Sequence, residues 1–132
     1  MASGERVYTG PRLQKLGIRP GMRALLHEVP EVGFAAELAE HGVELAGDPR
    51  EAVDVVFLGV AALDDLKLIR RLKPRIKRDG TLWLIRPKGP STPVPEATAM
   101  AAGLDAGLVD VKVISFSPTH SALKYVYRLR DR

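Results

Sequence analysis

Apolar and polar positions along this chain form blocks that predict short strands separated by short helices. The clearest block, residues 53–60 (VDVVFLGV), is rich in β-branched residues and almost wholly apolar. Such a run is typical of a strand buried on both faces of a sheet. Similar runs follow Pro20-Gly21 and Asp79-Gly80, two pairs that we expect to form turns. The predicted strands are residues 22–28, 43–45, 53–60, 81–85, 111–116 and 122–129.

Helical spacing of apolar side chains fills the intervals between these strands. In residues 62–73, Leu63, Leu66 and Ile69 fall on one face, and Pro74 should end or kink the helix. Comparable spacing predicts further helices over residues 34–41 and about 96–106, and a single helical turn over 12–17.

Strands that alternate with helices indicate a mostly parallel sheet with helices on both faces. The last two strands are joined by residues 117–121, a hairpin-length loop, so the final strand must run antiparallel. The 132 residues leave room for one domain. We therefore predict a three-layer, six-stranded α/β domain over residues 12–132, preceded by a flexible arm over residues 1–11.

Composition narrows the possible functions. The chain has no cysteine, which excludes disulfides, thiolate metal sites and cysteine nucleophiles. No apolar run approaches the roughly 18 residues of a membrane span, and the first residues lack the apolar core of a signal peptide, so we expect a cytoplasmic location and no membrane partner. A formal net charge of +4 suits an anionic or nucleic-acid partner without requiring one.

Three segments resemble SAM-dependent methyltransferases. Residues 16–26 (LGIRPGMRALL) resemble the entry into their first strand, residues 72–85 the approach to their fifth strand, and residues 106–113 the lead into their final hairpin. A closer resemblance, over roughly residues 12–129, is to a family of small bacterial proteins classed as a domain of unknown function. Its most specific parts are Arg86-Pro87-Lys88 and residues 121–126.

These small proteins resemble methyltransferase folds cut down to about this length, so the resemblance implies a Rossmann-like fold without an activity. It also implies the strand order second, first, third, fourth, sixth, fifth, and the loss of one strand–helix unit after residue 47. The switch point then lies between the first and third strands, at loops 28–33 and 59–62, where open α/β sheets bind ligands.

The loop after the first strand departs from a cofactor-binding pattern. Residues 26–34 (LHEVPEVGF) hold one glycine, and no G-x-G-x-x-G occurs anywhere in the chain. In the fold that this chain resembles, an acidic residue at the end of the second strand binds the ribose hydroxyls. Here that residue would have to be Glu44 or Asp48. We therefore predict no cofactor, with SAM left as the alternative.

Candidate ligand-binding residues gather at the predicted carboxyl ends of the strands. Lysines, a hydroxyl and a histidine near the final hairpin suit an anion or phosphate. The histidines lack metal-ligand spacing, and no serine lies in a G-x-S-x-G turn, so we predict neither a metal site nor a catalytic residue. The candidates are His27, Glu28, Gly33, Gly59, Arg86, Lys88, Thr119, His120 and Lys124.

The densest charge run is residues 67–78, in which seven of twelve residues are basic. Arg70, Arg71, Arg75 and Lys77 are the candidate nucleic-acid contacts within it. The same pattern is also typical of the solvated face of an ordinary helix.

The sequence thus favours a non-catalytic domain that binds a small anionic or nucleotide-like ligand, or a protein partner, at the strand carboxyl ends. A minimal SAM-dependent methyltransferase and a basic nucleic-acid-binding module are the two alternatives. The sequence leaves the oligomeric state open.

Overall fold

The computed structural model describes residues 12–48 and 50–132, so the predicted arm over residues 1–11 lies outside the described residues. A helical turn over residues 12–15 precedes the sheet. The 3-10 segments Leu63–Lys67 and Lys73–Arg75 lie on either side of the helix Leu68–Leu72. A third 3-10 segment, Leu129–Asp131, follows the strand His120–Tyr127. The strands are β1 (Arg23–His27), β2 (Glu44–Leu45), β3 (Val53–Gly59), β4 (Ile76–Pro87), β5 (Leu108–Ser115) and β6 (His120–Tyr127); the helices are α1 (Phe34–Glu40), α2 (Leu68–Leu72) and α3 (Glu96–Asp105).

The six strands form one sheet in the order β2-β1-β3-β4-β6-β5. β2, β1, β3 and β4 are parallel to one another, whereas β6 runs antiparallel to both β4 and β5. The predicted fold class and strand order are confirmed. Only residues 46–52 separate β2 from β3, so no strand–helix unit fits there and the predicted shortening is confirmed as well.

Each face of the sheet buries its own apolar cluster. Leu82 and Leu84 of β4 point to one face, where they pack with Ile69 and Ala99; we call this the α3 face. The alternate residues Trp83 and Ile85 point to the opposite face, which α1 and the turn at residues 12–15 cover; we call this the α1 face. Strict alternation with both faces buried explains why residues 82–85 of β4 form a continuous apolar run.

The Asp79-Gly80 pair was wrongly predicted to be a turn, because β4 already begins at Ile76. Val53 pairs with Ile76 but Val55 pairs with Thr81, so residues 77–80 form a bulge within the strand. A Cβ atom at Gly80 would lie 2.8 Å from the Asp54 carbonyl oxygen, a close approach that only glycine permits.

The closing hairpin also differs from its prediction in extent. β5 begins at Leu108 and β6 at His120, so each strand starts earlier than the apolar pattern suggested. His120 therefore belongs to a strand, paired with Pro87, and not to the loop. Among the described residues, no helix has the length and apolar character that crossing a membrane requires.

Candidate functional site

The carboxyl ends of β1 and β3 enclose a cavity of about 300 Å³. This is the predicted switch point of the sheet, the place where open α/β folds bind ligands. The amino end of β6 reaches the same edge because β6 runs antiparallel to β4. The cavity is lined by His27, Glu28, Pro30, Gly59, Val60, Ala61, Asp65, Leu68 and His120.

Four of the nine predicted ligand-binding residues line this cavity: His27, Glu28, Gly59 and His120. Two come from β1 or its end, one from β3 and one from β6, so the fold brings together residues that are up to 93 positions apart in the chain. Their placement agrees with the switch-point argument, while their role in binding a ligand stays a prediction.

Sequence reasoning missed Asp65, a further charged side chain in the cavity. Its Oδ2 accepts hydrogen bonds from the backbone N–H groups of Ala61 (2.8 Å) and Ala62 (3.0 Å). These two bonds lower the pKa of the Asp65 carboxyl below its ordinary value. An aspartate in the first turn of a helix was the available signal, because carboxylates are favoured at helix N-termini.

Glu28 and Gly59 close the floor of the cavity. Glu28 adopts a left-handed backbone conformation, with φ of 54°, which is uncommon for a residue with a side chain. This conformation turns its carbonyl group toward β3, where a Cβ on Gly59 would lie 2.7 Å from the Glu28 carbonyl carbon. The close approach of the two strand ends thus depends on glycine at position 59 and not on a glycine-rich loop after β1.

Arg12 lies on the α1 face and stabilises the loop between β1 and α1 through hydrogen bonds. Its guanidinium donates to both carboxylate oxygens of Glu31, at 2.9 and 2.6 Å, and to the Phe116 carbonyl at 3.0 Å. It also forms an ion pair with Glu37, a largely buried residue of α1. These hydrogen bonds to Arg12 lower the pKa of Glu31. Gly33 lies at the end of this loop as the N-cap of α1 and does not line the cavity.

His120 is positioned by its neighbours in the hairpin. The Thr119 hydroxyl lies 2.8 Å from His120 Nδ1 and 3.3 Å from the Ser117 hydroxyl. Burial, and then the charge of Lys88, lower the pKa of His120. A lowered pKa favours the neutral imidazole, in which one nitrogen is a donor and the other an acceptor.

Lys88 and Thr119 lie beside His120 without lining the cavity. The Lys88 backbone N–H donates to the Thr119 carbonyl at 2.9 Å, and Lys88 Nζ donates to the Ser115 hydroxyl at 2.7 Å. Lys88, Thr119 and His120 thus lie together at the hairpin, and their role in binding an anion stays a prediction.

Arg86 and Lys124 are placed elsewhere. The buried Arg86 guanidinium donates to the Val94 carbonyl at 3.1 Å and pairs with Glu96, so it fastens the loop before α3. Lys124 lies in the middle of β6 opposite Trp83, with Nζ 6.0 Å from the Trp83 ring centroid. Neither residue is among those that line the cavity, and their role in binding a ligand stays a prediction.

The basic run is held largely by hydrogen bonds within the fold. Arg75 donates to the carbonyl groups of Glu51 (2.8 Å) and Asp48 (3.0 Å), and Lys77 pairs with Asp54 at 3.2 Å. Arg70 pairs with Asp105 at 3.0 Å, at the end of α3. Arg71, by contrast, is exposed and makes no hydrogen bond or ion pair with any described residue.

Two histidines and two acidic residues line the cavity, and no lysine or arginine is among its described lining residues. Carboxylates only accept hydrogen bonds, so this set suits a ligand with hydroxyl or amino donors better than a bare anion. No group of three described His, Asp or Glu side chains is arranged to hold a metal ion.

The described residues do not provide the arrangement that the resemblance implies for an S-adenosyl cofactor. β2 ends at Leu45, which pairs with Ala24, three residues (roughly 10 Å) before His27. Glu44 is exposed and pairs with Arg23 at 2.8 Å, so the end of β2 brings no carboxylate to the cavity. The loop after β1 is filled by valine and proline where close backbone approach would need glycine.

No protein-family model matches the chain, and no curated protein matches its sequence. Solved structures match it in fold. A SAM-dependent O-methyltransferase from Thermotoga maritima superposes with a TM-score of 0.68 at 11% identity, over 96% of this chain and 67% of that one. An N1-methyltransferase from Burkholderia thailandensis with bound 1,6-didemethyltoxoflavin and S-adenosylhomocysteine gives 0.66 at 11% identity, over 93% and 77%.

A third structure is the fibrillarin of Aeropyrum pernix with bound S-adenosyl-L-methionine, at a TM-score of 0.64 and 14% identity, over 88% of this chain and 73% of that one. Identities this low establish the fold alone. The chain has a shortened form of the methyltransferase fold.

Proposed function

We propose that this domain binds a small nucleoside-like ligand in the cavity between β1 and β3. The observation that carries the proposal is the convergence of His27, Glu28, Asp65 and His120 on one cavity at the switch point of the sheet. The fold comparisons support it, because two of the similar structures hold ligands that contain an adenosine group.

Size favours the nucleoside over the whole cofactor. A volume of about 300 Å³ is at the lower end of small-molecule sites. Ribose hydroxyls and an exocyclic amino group would donate to the carboxylates of Glu28 and Asp65. A neutral imidazole suits the edge of a base, because it donates and accepts at once.

Calorimetric titration with adenosine tests the proposal, with inorganic phosphate as the probe for a bare anion. We expect Glu28→Gln and His120→Ala each to weaken adenosine binding about tenfold, since each removes one hydrogen-bonding group worth roughly 1.4 kcal/mol. His41→Ala is the matched control. His41 follows α1 and precedes Gly42, whose carbonyl accepts a hydrogen bond from the Gly21 N–H, and Gly21 lies at the opposite end of β1 from the cavity.

Absence of adenosine binding at millimolar concentration would overturn the proposal, as would equal weakening by His41→Ala. Binding of phosphate without adenosine would favour the simple anion site that the sequence suggested.

A minimal methyltransferase is the second candidate, and the three fold matches favour it. S-adenosylhomocysteine is the discriminating probe. If it binds more than tenfold tighter than adenosine, the cavity recognises the amino-acid part of the cofactor. Equal affinity would instead restrict recognition to the nucleoside.

A further inference from the structure

A second charged surface lies at the opposite edge of the sheet from the cavity. Residues 70–78 and 128–132 hold nine of the 20 lysines and arginines but one of the 16 acidic residues. These fourteen residues carry a net charge of +8, and the remaining residues together carry −4. We call the two segments together the basic face.

The fold brings the two segments together because β4 and β6 are antiparallel, so the start of one meets the end of the other. Tyr127 joins them: its hydroxyl donates to the Lys73 carbonyl at 2.8 Å. Lys73 Nζ and Arg78 Cζ lie 5.5 and 5.4 Å from the Tyr127 ring centroid, and Arg78 donates to the Asp131 carbonyl. A groove of about 560 Å³ runs between the segments.

Arg70 and Lys77 pair with the carboxylates of Asp105 and Asp54, whereas most of the other cations bond to backbone carbonyl groups, which leave their charge uncompensated. Lys73 donates to the Ala106 carbonyl at 3.0 Å, Arg75 to that of Glu51, and Arg132 to that of Tyr127 at 2.9 Å. Some of this positive charge serves the fold, because Lys73 lies at the carboxyl end of α3. A helix end carries only about half a unit of negative charge, however, so most of the +8 is left over.

The composition of the basic face indicates its partner. Seven of the nine basic residues are arginine, whose planar guanidinium matches phosphate oxygens. Tyr127, the aromatic residue that joins the two segments of the basic face, is only 6% exposed, so it offers no ring on which single-stranded bases could stack. Leu129 is the one large exposed apolar side chain on this face, too little for the apolar centre of a protein interface.

We propose that the basic face binds the phosphate backbone of double-stranded nucleic acid without reading its sequence. Uncompensated cations gain affinity by releasing counterions from the duplex, and those that the fold already holds in place lose little side-chain entropy on binding. This activity is separate from ligand binding in the cavity, since the two surfaces lie at opposite edges of the sheet.

Fluorescence anisotropy with a labelled mixed-sequence duplex of about 20 base pairs tests the proposal, using the full chain between about 50 and 200 mM salt. The test variant is Arg71→Gln/Arg130→Gln, because both side chains are exposed and neither bonds to a described residue, so the fold should be unaffected. The matched control is Lys15→Gln/Lys112→Gln, which removes the same charge from exposed positions outside the basic face.

We expect log K to fall linearly with log salt. The slope of the test variant should be shallower by about 1.8, because each phosphate that the protein no longer neutralises reduces the slope by about 0.9. The control should keep the parent slope. Equal reductions in both variants would overturn the proposal, because net charge alone would then explain binding. Tighter binding to a single strand, to polyglutamate or to anionic vesicles than to the duplex would also overturn it, as would no binding at about 50 mM salt.

Discussion

Gly59→Ala is the substitution that most directly tests how the cavity is built. A methyl group at position 59 would overlap the carbonyl group of Glu28, coming within 2.7 Å of its carbon and 3.3 Å of Pro30 Cδ. Cβ atoms in proteins essentially never come within 3.0 Å of such atoms. The end of β1 must therefore withdraw from β3.

The size of the destabilisation depends on how far the backbone around Glu28 can move. The Glu28 carbonyl would have to move away from position 59 by about 1 Å. Glu28 is already in a left-handed backbone conformation, which leaves it few alternatives. The neighbouring pair His27 and Leu58 is held by the parallel ladder, which resists the same movement. Overpacking of this kind costs about 2–3 kcal/mol, which lowers the melting temperature by roughly 6–10 °C in a domain of this size.

Chemical denaturation measures the change, with Gly33→Ala as the matched control. Nothing lies within 4 Å of a Cβ built on Gly33, and its φ of −81° suits alanine. The control should therefore stay within about 0.5 kcal/mol of the parent, because the reduced freedom of the unfolded chain is offset by the weaker preference for alanine at the N-cap. A Gly59→Ala protein within about 0.5 kcal/mol of the parent would refute the close approach of β1 and β3.

Three further predictions concern the core and the hairpin. Gly103→Ala should destabilise the protein by about 1–3 kcal/mol in thermal unfolding, despite better helix propensity, because the new methyl would lie 2.5 Å from Tyr125 Cδ1; a stabilised variant would contradict this packing. Trp83→Phe should cost about 1–3 kcal/mol in chemical denaturation, since it orphans the buried Leu16 carbonyl that accepts from Nε1 at 3.1 Å; an unchanged midpoint would show that the bond is unimportant. Burial lowers the pKa of His120, so its NMR titration should have a midpoint below about 6.5. The unfolded chain therefore binds a proton at His120 more tightly than the folded chain does. His120 thus contributes stability above about pH 6.5, and this contribution is lost as the pH falls through the folded-state pKa. A midpoint above 6.5 would reverse the direction of this pH dependence.

The sequence was most informative where one physical rule dominated. Buried parallel strands must be apolar on both faces, so residues 53–60 and 81–85 identified the centre of the sheet. The strand order came from the resemblance instead, because periodicity does not say which strands are neighbours. The bulge at residues 77–80 was missed because Asp-Gly is a turn signal, and the pairing with β3 overrides that local preference.

Three of the candidate residues line the cavity because the course of the backbone alone brings them there. His27 and Gly59 end parallel strands, and His120 opens the antiparallel one, so topology fixes their edge of the sheet. Arg86 and Lys124 do not line the cavity, because the direction of each side chain depends on strand parity and on available partners. Arg86 points to the α3 face and finds the Val94 carbonyl, an interaction that no local pattern encodes.

Glu28 shows why a missing glycine motif does not by itself abolish a site. The left-handed conformation that glycine would adopt freely is retained here by a residue for which it costs roughly 1–2 kcal/mol. Its carbonyl packs against Gly59, so the close approach here requires glycine on the facing strand and not in the loop. The shortened fold therefore keeps a cavity at the switch point, and the acidic residues that line it, Glu28 and Asp65, are the ones on which the proposed nucleoside-like ligand depends.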